Sequence, residues 1–449
     1  MSRKYLIETF GCQMNYHDSE QMAGLLESAG YERTDDDREA EVVVINTCSV
    51  REHAEEKLYT RLGELRVLGD ETGRAPTVAV AGCVAQQEGA ALLRRSPLVD
   101  VVVGTRRTRM LPMLLEDARE TGRPRVDLGA HDNVAFPFGL TRRDDPVRAW
   151  VTIIEGCNEY CSFCVVPYTR GHERMRPKGE ILAEVRDAAS RGLREVQLLG
   201  QIVNHYQAPD EADCDFAGLL EAVHEVPGIA RIRFASPHPR HVTDRLIACL
   251  RDLPKVARHL HLPVQSGSTR LLKVMRRRYT RESYLDLVDR LRAEVPGIAL
   301  STDMIVGFRG ETGADFEDTL SLTERVRFHS MFSFKYSERP NTLASKRYPD
   351  TVGAVDKTRR IVALQELQRR IQTALHDAAV GTTEAVLIDS SSRRRAWELS
   401  GRTSGNTVVN LPGEPDWIGR LVPVTIRRAG PNSLWGEIAA SQRQEMTCR

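Results

Sequence analysis

The chain has 449 residues, 41% of them hydrophobic, and a formal net charge of +1 at pH 7. That length corresponds to about three folded domains, and the apolar content excludes a largely disordered chain. The balanced charge excludes nucleic-acid binding through a global positive field, so RNA contacts must depend on local basic patches. The sequence holds no apolar run of the roughly 20 residues that a membrane-spanning helix requires and no signal core at its start. We therefore expect a cytoplasmic protein without a membrane association.

The first part of the chain, residues 3–119, predicts an open parallel α/β domain. Four short apolar runs alternate with helical patterns, as expected for buried parallel strands. These runs span residues 5–8, 42–45, 78–81 and 99–103. The helix after the first run is expected to be capped by Asp18 or Ser19 and to terminate at Gly30.

A cysteine follows each of the first three predicted strands, at Cys12, Cys48 and Cys83, and we call these residues the sheet triplet. The carboxyl ends of parallel strands meet at one edge of a sheet, where ligands bind in open α/β domains. One cysteine in such a position is usually a small buried hydrophobic residue. Three cysteines in equivalent positions favour a shared site instead.

A segment rich in Arg, Asp and Pro, residues 120–142, is interpreted as a surface linker. Beyond it, residues 143–374 alternate six apolar runs with helical patterns, which predicts an incomplete parallel (β/α)6 barrel. The six predicted strands span residues 150–154, 195–199, 231–234, 259–264, 300–306 and 331–336. In residues 377–440, short strands separated by Gly, Pro, Asn and Ser indicate a small all-β barrel.

Cys157, Cys161 and Cys164 form a C-x3-C-x2-C run, here called the barrel triplet, on the loop after the first barrel strand. Barrel enzymes carry their functional residues on such loops. Three thiolates can hold a four-iron cluster and leave one iron without a protein ligand, which gives the open position that a reactive metal centre needs. Phe163 is expected to exclude water there. A zinc site is the alternative, with His172 as the only nearby nitrogen, while an electron-transfer cluster would require a fourth cysteine.

Several motifs together resemble the radical S-adenosylmethionine methylthiotransferase family. The run EGCNEYCSFC at residues 155–164 is similar to the cluster signature of the radical S-adenosylmethionine superfamily. The motifs that resemble methylthiotransferases are GCQMN at 11–15, NTCSVR at 46–51, GCV at 82–84, VVPYTRG at 165–171 and HLPVQSG at 261–267. The resemblance covers nearly the whole chain, including a TRAM-like domain with its motifs at residues 401–403 and 408–410.

This resemblance implies two 4Fe-4S clusters and S-adenosyl-L-methionine as cofactors. It assigns the barrel triplet to the cluster that binds S-adenosylmethionine and generates a 5′-deoxyadenosyl radical, and the sheet triplet to an auxiliary cluster that supplies sulfur. The implied reaction adds a methylthio group to C2 of N6-(dimethylallyl)adenosine at position 37 of tRNA. C2 of adenine is neither acidic nor nucleophilic, so a cofactor must supply this chemistry. The implied partners are the tRNA anticodon stem-loop, an electron donor and a sulfur source, and we expect a monomer.

The superfamily contacts S-adenosylmethionine through the loops after the barrel strands. By resemblance, the matching positions are Gly200, Gln201, Ser236, His238, Gln265, Gly307 and Glu311. Two neighbouring positions depart from the family's usual motifs, because Ile202 stands where Asn is usual and Arg309 stands where Pro is usual. No catalytic side chain is assigned beyond the cluster ligands.

Local basic patches are either solvated faces or contacts to RNA phosphates. They comprise Lys273, Arg276, Arg277, Arg278 and Arg281, then Arg106, Arg107 and Arg109, and in the terminal barrel Arg393, Arg394 and Arg395 beside Trp397. His259 and His261 lie on one face of a strand and are interpreted as hydrogen-bonded barrel residues rather than a metal pair. Cys214, Cys249 and Cys448 stand singly and receive no role.

Alternatives to this substrate and to this class of protein remain open. Relatives within the family modify threonylcarbamoyl-adenosine in tRNA or an aspartate of a ribosomal protein, although the GCQMN and NTCSVR motifs favour dimethylallyl-adenosine. A non-enzymatic RNA-binding protein would hold structural metal in its six cysteines and use the terminal barrel as its working part.

Overall fold

The computed structural model describes residues 3–49, 52–129, 140–392, 395 and 397–438. The chain forms two compact units. The first contains the chain up to Asp144 together with Glu155–Asn158 and Cys164–Arg174, and the second contains the remaining residues. Two short segments of the predicted central domain therefore belong to the first unit, and the terminal barrel belongs to the second.

The first unit is built on a six-stranded parallel sheet. Its strands are β1 (Arg3–Phe10), β2 (Tyr31–Arg33), β3 (Val42–Thr47), β4 (Thr77–Gly82), β5 (Val99–Val103) and β6 (Arg125–Asp127). They are hydrogen-bonded in the order β2-β1-β3-β4-β5-β6. The helices of this unit are α1 (Gln13–Ser28), α2 (Glu52–Thr72), α3 (Cys83–Glu88), α4 (Ala91–Arg95), α5 (Leu111–Thr121) and α6 (Val166–Thr169), with a 3-10 turn at Thr108–Met110.

Helices cover both faces of this sheet because its central strands are apolar on both sides. In β3, Val42 and Val44 pack with residues of α1 and α5. Val43 and Ile45 point to the opposite face and pack with residues of α2. All four side chains are fully buried, which explains why the strand is a continuous apolar run.

The structure corrects two predictions for this unit. The helix α1 begins at Gln13, directly after Cys12, and not at Asp18 or Ser19, which are buried inside the helix. The terminator is confirmed, since Gly30 follows the helix with a φ of +86°. The strand β6 lies within the predicted linker, because a three-residue edge strand is too short to show a periodic pattern. Residues 130–139 of that linker lie outside the described residues.

The strands that follow along the chain include the six of the predicted barrel. They are β7 (Arg148–Thr152), β8 (Ile154–Glu155), β9 (Arg174–Met175), β10 (Glu195–Leu199), β11 (Arg231–Phe234), β12 (His259–His261), β13 (Ala299–Val306) and β14 (Ser330–Lys335). Six of them form two parallel sheets with the orders β11-β10-β7 and β12-β13-β14. An isolated parallel bridge pairs Ile232 of β11 with Val256, which lies in the segment before β12. The predicted incomplete barrel is therefore confirmed.

Helices pack outside the barrel strands. They are α7 (Lys178–Ser190), α8 (Phe216–His224), α9 (Asp244–Asp252), α10 (Thr269–Val274), α11 (Arg281–Glu294), α12 (Gly313–Val326), α13 (Leu343–Arg347) and α14 (Ala354–Ala378), with 3-10 turns at Val203–His205 and Pro239–His241. Val196 and Leu198 of β10 face this helical layer and are fully buried. The alternate residues of the strands point to the inside of the barrel.

The terminal domain is a closed barrel of five strands, as predicted. The strands are β15 (Thr383–Ser391), β16 (Glu398–Arg402), β17 (Val408–Pro412), β18 (Leu421–Ala429) and β19 (Leu434–Glu437), with a 3-10 turn at Pro415–Trp417. Their order is β15-β16-β17-β19-β18. None of the described helices is both long and apolar enough to cross a membrane.

A loop of the terminal barrel lies against the amino-terminal ends of the parallel strands. Arg231 donates to the carbonyl of Arg402 at 2.6 Å, and Arg233 donates to that of Thr403 at 2.6 Å. Both guanidiniums are buried, and the Glu195 carboxylate lies 3.1 Å from Arg233. This buried polar layer fills the base of the barrel, so that its open end is at the carboxyl ends of the strands.

Candidate cluster-binding sites

The sheet triplet converges at the carboxyl edge of the parallel sheet. Cys12 follows β1 and precedes α1, Cys48 follows β3, and Cys83 is the first residue of α3 after β4. The Cys48 thiol lies within hydrogen-bonding distance of the thiols of both Cys12 and Cys83. Neighbouring parallel strands carry their ends to the same edge, so three thiols distant in sequence meet.

A buried cation accompanies the sheet triplet. Hydrogen bonds from Cys48 lower the pKa of the Cys12 and Cys83 thiols, the Arg170 charge lowers both further, and burial opposes these effects. The Arg170 guanidinium is itself buried and lies 2.6 Å from the Asp18 carboxylate. Thiolates are the form that binds metal, so this environment favours the ligand state of Cys12 and Cys83, whereas the same hydrogen bonds raise the pKa of Cys48.

Two asparagines join the segments that carry Cys12 and Cys48 through a pair of hydrogen bonds. Asn15 Nδ2 donates to Asn46 Oδ1 at 3.0 Å, and Asn46 Nδ2 donates to the carbonyl of Asn15 at 2.8 Å. Gly82 has a φ of +91°, and a Cβ there would lie 2.4 Å from Asn46 Oδ1. Glycine is therefore required for the backbone to approach this pair closely.

The backbone around Cys157 and Cys164 of the barrel triplet is fixed by different local contacts. The backbone N–H of Cys157 donates to the carbonyl of Gly171 at 3.0 Å. A Cβ on Gly156, whose φ is +78°, would lie 2.1 Å from the carbonyl oxygen of His172, so this tight approach requires glycine. Cys164 directly precedes the turn into α6.

The sulfur of Cys161 accepts a hydrogen bond from a buried arginine. Arg277 Nη1 donates to Cys161 Sγ at 3.4 Å, its Nη2 donates to the carbonyl of Pro263 at 2.9 Å, and its Nε donates to the hydroxyl of Tyr279 at 2.9 Å. Arg277 was predicted to belong to a basic patch that is either a solvated face or a contact to RNA phosphates. Neither alternative holds for Arg277, because it is buried and only Lys273, Arg276 and Arg278 of this run are exposed.

The backbone around Arg277 turns this side chain inward. Arg276 and Arg278 have φ values of +60° and +59°, in the left-handed region that non-glycine residues rarely adopt. Such strain persists only where the surroundings hold it, and it is concentrated at functional sites.

Phe163, the expected water-excluding residue, packs edge-on against Phe308 with a ring-centroid distance of 6.4 Å.

The predicted S-adenosylmethionine residues lie on loops at the open end of the barrel. Ser236 and Gln265 have φ values of +60° and +75°, and the side-chain oxygen of Gln201 is buried with no protein partner. Gly200 packs so closely on Ile154 that a Cβ would lie 2.1 Å from its Cγ2 atom. These loops are thus tightly constrained without being filled by their own side chains.

Glu311 holds the Gly307 loop in place. Its Oε2 atom accepts from the Gly307 backbone N–H at 2.6 Å and from Arg360 Nη1 at 2.5 Å, while its Oε1 atom is buried without a partner. Arg309, which stands in the usual proline position, contacts Glu338 and the carbonyl of Tyr348.

His238 joins two of these loops. Its backbone N–H donates to Asn204 Oδ1 at 2.8 Å, and Asn204 Nδ2 donates to its carbonyl at 3.0 Å. Burial, together with the charge of Arg277, lowers the pKa of His238 to about 2, so the ring is neutral.

Glu159, His238 and His241 bring their side-chain ligand atoms within 4.8 Å of one another, a spacing that resembles a metal site. His238 Nδ1, however, accepts the backbone N–H of Arg240, so the neutral ring carries its proton on Nε2. Glu159 Oε1 is already paired with His241 Nε2 at 2.9 Å, and the carboxylate faces the guanidiniums of Arg240 and Arg278 at 3.6 and 3.9 Å. The geometry therefore favours a hydrogen-bonded cluster over a cation site.

Several other residues singled out in the sequence form hydrogen bonds or ion pairs within the protein. His259 and His261 each lie 2.9 Å from the hydroxyl of Ser301, which confirms them as hydrogen-bonded barrel residues. Among the basic residues, Arg106 contacts the carbonyl of Arg170, Arg107 lies 2.8 Å from Asp127, and Arg281 donates to the carbonyl of Gly267 at 3.1 Å.

The terminal patch is described in part. Arg395 pairs with Glu398 at 2.9 Å, and the neighbouring Trp397 is 56% exposed. Arg393 and Arg394 lie outside the described residues, as does Cys448. The single cysteines Cys214 and Cys249 are buried.

Sequence reasoning did not identify the two buried arginines that accompany the thiols. Arg170 stands within the VVPYTRG motif, but nothing in the sequence indicates that Asp18 is its partner. Arg277 is one of three consecutive arginines, and nothing in the sequence distinguishes it from the two beside it.

Comparisons with known proteins match three regions of this chain. Residues 4–104 match the uncharacterized protein family UPF0004, residues 151–323 match the radical SAM superfamily, and residues 377–439 match the TRAM domain. A solved radical S-adenosylmethionine methyltransferase, TsrM from Kitasatospora setae, superposes with a TM-score of 0.55 over 77% of this chain and 74% of its own. At 16% identity this likeness shows the fold alone.

The fold and the three matched regions define a radical S-adenosylmethionine enzyme, a class that uses 4Fe-4S clusters and S-adenosylmethionine. The tRNA-2-methylthio-N(6)-dimethylallyladenosine synthase of Thiobacillus denitrificans is 47% identical over 97% of this chain and 98% of its own length. The synthase of Chromobacterium violaceum is 46% identical over 98% and 99%. The chain belongs to the tRNA-2-methylthio-N(6)-dimethylallyladenosine synthase family. The predictions of family, enzyme class and cofactors are confirmed.

Proposed function

We propose that the protein adds a methylthio group to C2 of N6-(dimethylallyl)adenosine at position 37 of tRNA, in the cytoplasm. The relatives that match nearly the whole chain are named for this product, and the TRAM domain supports a tRNA substrate. The observation that carries the proposal is the convergence of the sheet triplet. One cluster suffices to cleave S-adenosylmethionine, so a second thiol site points to a further task, which is sulfur delivery.

The sheet triplet fits an iron-sulfur cluster. Its thiols lie together with lowered pKa values at Cys12 and Cys83, and the Arg170 charge offsets the negative charge that thiolates and cluster would bring into a buried place. Three ligands leave one iron open. We therefore assign the auxiliary cluster to Cys12, Cys48 and Cys83.

The barrel triplet fits the other cluster. Arg277 donates a hydrogen bond to the sulfur of Cys161 and brings a positive charge to this ligand, and Phe163 shields the sulfur from water. Bound in these two places, the clusters and S-adenosylmethionine would supply a 5′-deoxyadenosyl radical at the barrel and sulfur at the sheet. We assign the first of these clusters to Cys157, Cys161 and Cys164.

The loops at the open end of the barrel are assigned to S-adenosylmethionine. His238 offers a buried Nε2–H donor that has no protein partner. The side-chain oxygen of Gln201 is a buried acceptor that also has no protein partner. Gly200, Ser236, Gln265 and Gly307 shape the backbone of these loops. Glu311 acts by holding the Gly307 N–H, so its removal would displace the loop.

The direct test is the reconstituted full-length protein, incubated without oxygen with S-adenosylmethionine, a reductant and tRNA bearing dimethylallyl-adenosine. We expect mass spectrometry of the digested nucleosides to show the mass of one added methylthio group, with 5′-deoxyadenosine formed alongside. Deoxyadenosine without a modified nucleoside would refute the substrate, and the threonylcarbamoyl-tRNA and ribosomal-protein substrates would then be tested in the same assay.

A further inference from the structure

Two phenylalanines lie exposed on the inner face of the incomplete barrel. Phe332 is 54% exposed and Phe334 is 40% exposed, although both belong to the strand β14. The residues that alternate with them face the helices, since Met331 packs against the helical core and Ser333 accepts from Gln365 of α14. Successive side chains of a strand point to opposite faces, so Phe332 and Phe334 point into the barrel.

Polar groups border this aromatic pair. Phe332 is aligned with Asp303 of β13, and Phe334 is aligned with Ile305. The ring of His261 meets that of Phe332 edge-on at 5.9 Å, and His261 Nε2 lies 3.3 Å from Asp303 Oδ1. The inner face therefore offers two flat apolar rings beside a carboxylate that can accept a hydrogen bond.

This surface continues toward the barrel triplet. Ile305, the neighbour of Phe334, packs against a buried cluster formed by Leu271, Met275, Phe308, Tyr336 and Ala344. Phe163, which stands between Cys161 and Cys164 in the chain, packs against the same buried cluster. An apolar path thus leads from Phe332 through Phe334 and Ile305 to the loop that bears the thiols.

We propose that Phe332 and Phe334 form the wall that receives the target base and its dimethylallyl group, an inference that rests on the proposed function. Exposed aromatic groups inside a cavity are typical of ligand contacts. An adenine must leave its stack to reach a buried reactive centre, and aromatic side chains replace the lost stacking. The five-carbon prenyl group requires an apolar surface beside that ring, and the second phenylalanine supplies it.

The test measures the preference for a prenylated base. The reconstituted full-length protein and its Phe332→Ala and Phe334→Ala variants are titrated with two anticodon stem-loop RNAs that differ only in the dimethylallyl group of the target adenosine. We expect the parent to bind the prenylated RNA more tightly, and each alanine variant to lose about tenfold of its affinity for that RNA. Phe332→Leu keeps apolar volume without an aromatic face, so its affinity for the prenylated RNA should lie between those of the parent and of Phe332→Ala.

A matched control distinguishes the loss of the proposed aromatic wall from the loss of any exposed apolar side chain. Val355 is an 83% exposed apolar residue on α14, and we expect Val355→Ala to bind both RNAs as the parent does. Variants that keep the parent's ratio of affinities would overturn the inference, as would a parent without any preference. Iron content and circular dichroism of each variant establish that it is folded and loaded. A parent that prefers the prenylated RNA but forms no methylthio product would instead refute the proposed function.

Discussion

The guanidinium of Arg277 donates a hydrogen bond to the sulfur of Cys161 at 3.4 Å. Its other hydrogen bonds go to the hydroxyl of Tyr279 and the carbonyl of Pro263, which are neutral groups. A buried cation is stabilised by a neighbouring negative charge, and a cluster held by Cys161 would supply one. Hydrogen bonds and positive charge next to a ligating sulfur also tune the reduction potential of an iron-sulfur cluster.

Replacement of Arg277 should make the barrel cluster harder to reduce. In a full-length background with the sheet triplet changed to alanine, we expect Arg277→Met to lower the equilibrium constant for reduction about tenfold, which equals ~59 mV for one electron. The physical reason is that the reduced cluster carries one more negative charge. A redox titration followed by electron paramagnetic resonance measures the midpoint potential.

Two companion variants define this effect. Arg277→Lys keeps the charge and should restore part of the shift, while Arg277→Gln removes the charge and should resemble Arg277→Met. Arg292, which contacts the carbonyl of Val326, provides an arginine control whose change to Met should leave the potential unaltered. Equal potentials in the parent and in both neutral variants at position 277 would contradict a tuning role.

The Arg170–Asp18 pair should affect both stability and iron loading of the sheet triplet. Arg170→Met leaves the Asp18 carboxylate buried without its partner, a change that costs about 3–5 kcal/mol. We also expect a lower iron content, because the charge that favours the Cys12 and Cys83 thiolates is lost. Chemical unfolding and iron analysis of the purified protein give the two quantities.

A second buried pair on the same helix provides a matched control. Arg143 lies 2.8 Å from Glu20, and both side chains are 5% exposed. Arg143→Met should therefore destabilise the protein by a comparable amount and leave its iron content at the parent's level. Equal iron loss in the two variants would mean that Arg170 acts only through stability.

The hydrogen bonds between Asn15 and Asn46 should contribute to the stability of the folded protein. Asn46→Ala removes the donor to the carbonyl of Asn15 and leaves the buried Asn15 Nδ2 without its acceptor. We expect a loss of about 1–3 kcal/mol in the free energy of unfolding. Denaturant titrations of the parent and the variant test this, and an unchanged midpoint would show that the two residues are not coupled.

Regular features of this fold were predictable from the sequence, and special backbone positions were not. Apolar runs located the central strands of the three larger parallel sheets, because residues buried on both faces form continuous hydrophobic segments. The short strands β2 and β6 were missed, since three residues carry too little pattern. The start of α1 was missed because Asp18, a good capping residue, serves instead as the buried partner of Arg170.

The same contrast holds for the candidate sites. The thiols were predictable, since the two triplets follow strands and have distinctive spacing. The inward turn of Arg277 depends on positive φ values at Arg276 and Arg278, which no propensity indicates for arginine. The exposure of Phe332 and Phe334 depends on the open barrel, whereas their sequence is that of an ordinary buried strand.

Acid should destabilise the second unit through His329. Burial lowers the pKa of this ring to about 4, with Arg292 and His376 adding to the effect, and its Nδ1 atom accepts the backbone N–H of Leu300. The unfolded histidine has a pKa near 6.5, so the unfolded chain binds more protons between pH 6.5 and 4. Stability should therefore fall as the pH drops through that window, by up to about 3 kcal/mol.

His329→Gln isolates this contribution. We expect the variant's thermal midpoint to depend less on pH between 6.5 and 4 than that of the parent, while the difference between the two proteins stays constant above pH 7. Parallel profiles across the whole range would show that His329 does not carry the effect.

The most direct test of the central claim is the iron and sulfide content of four full-length proteins reconstituted in parallel, namely the parent, the two triplet variants and Cys214→Ala. Two independent four-iron sites predict about eight irons in the parent and about four in each variant in which one triplet is changed to alanine. The variant without the sheet triplet should still release 5′-deoxyadenosine and form no methylthio product, and Cys214→Ala should match the parent. Eight irons in either triplet variant, or methylthio product without the sheet triplet, would contradict the account.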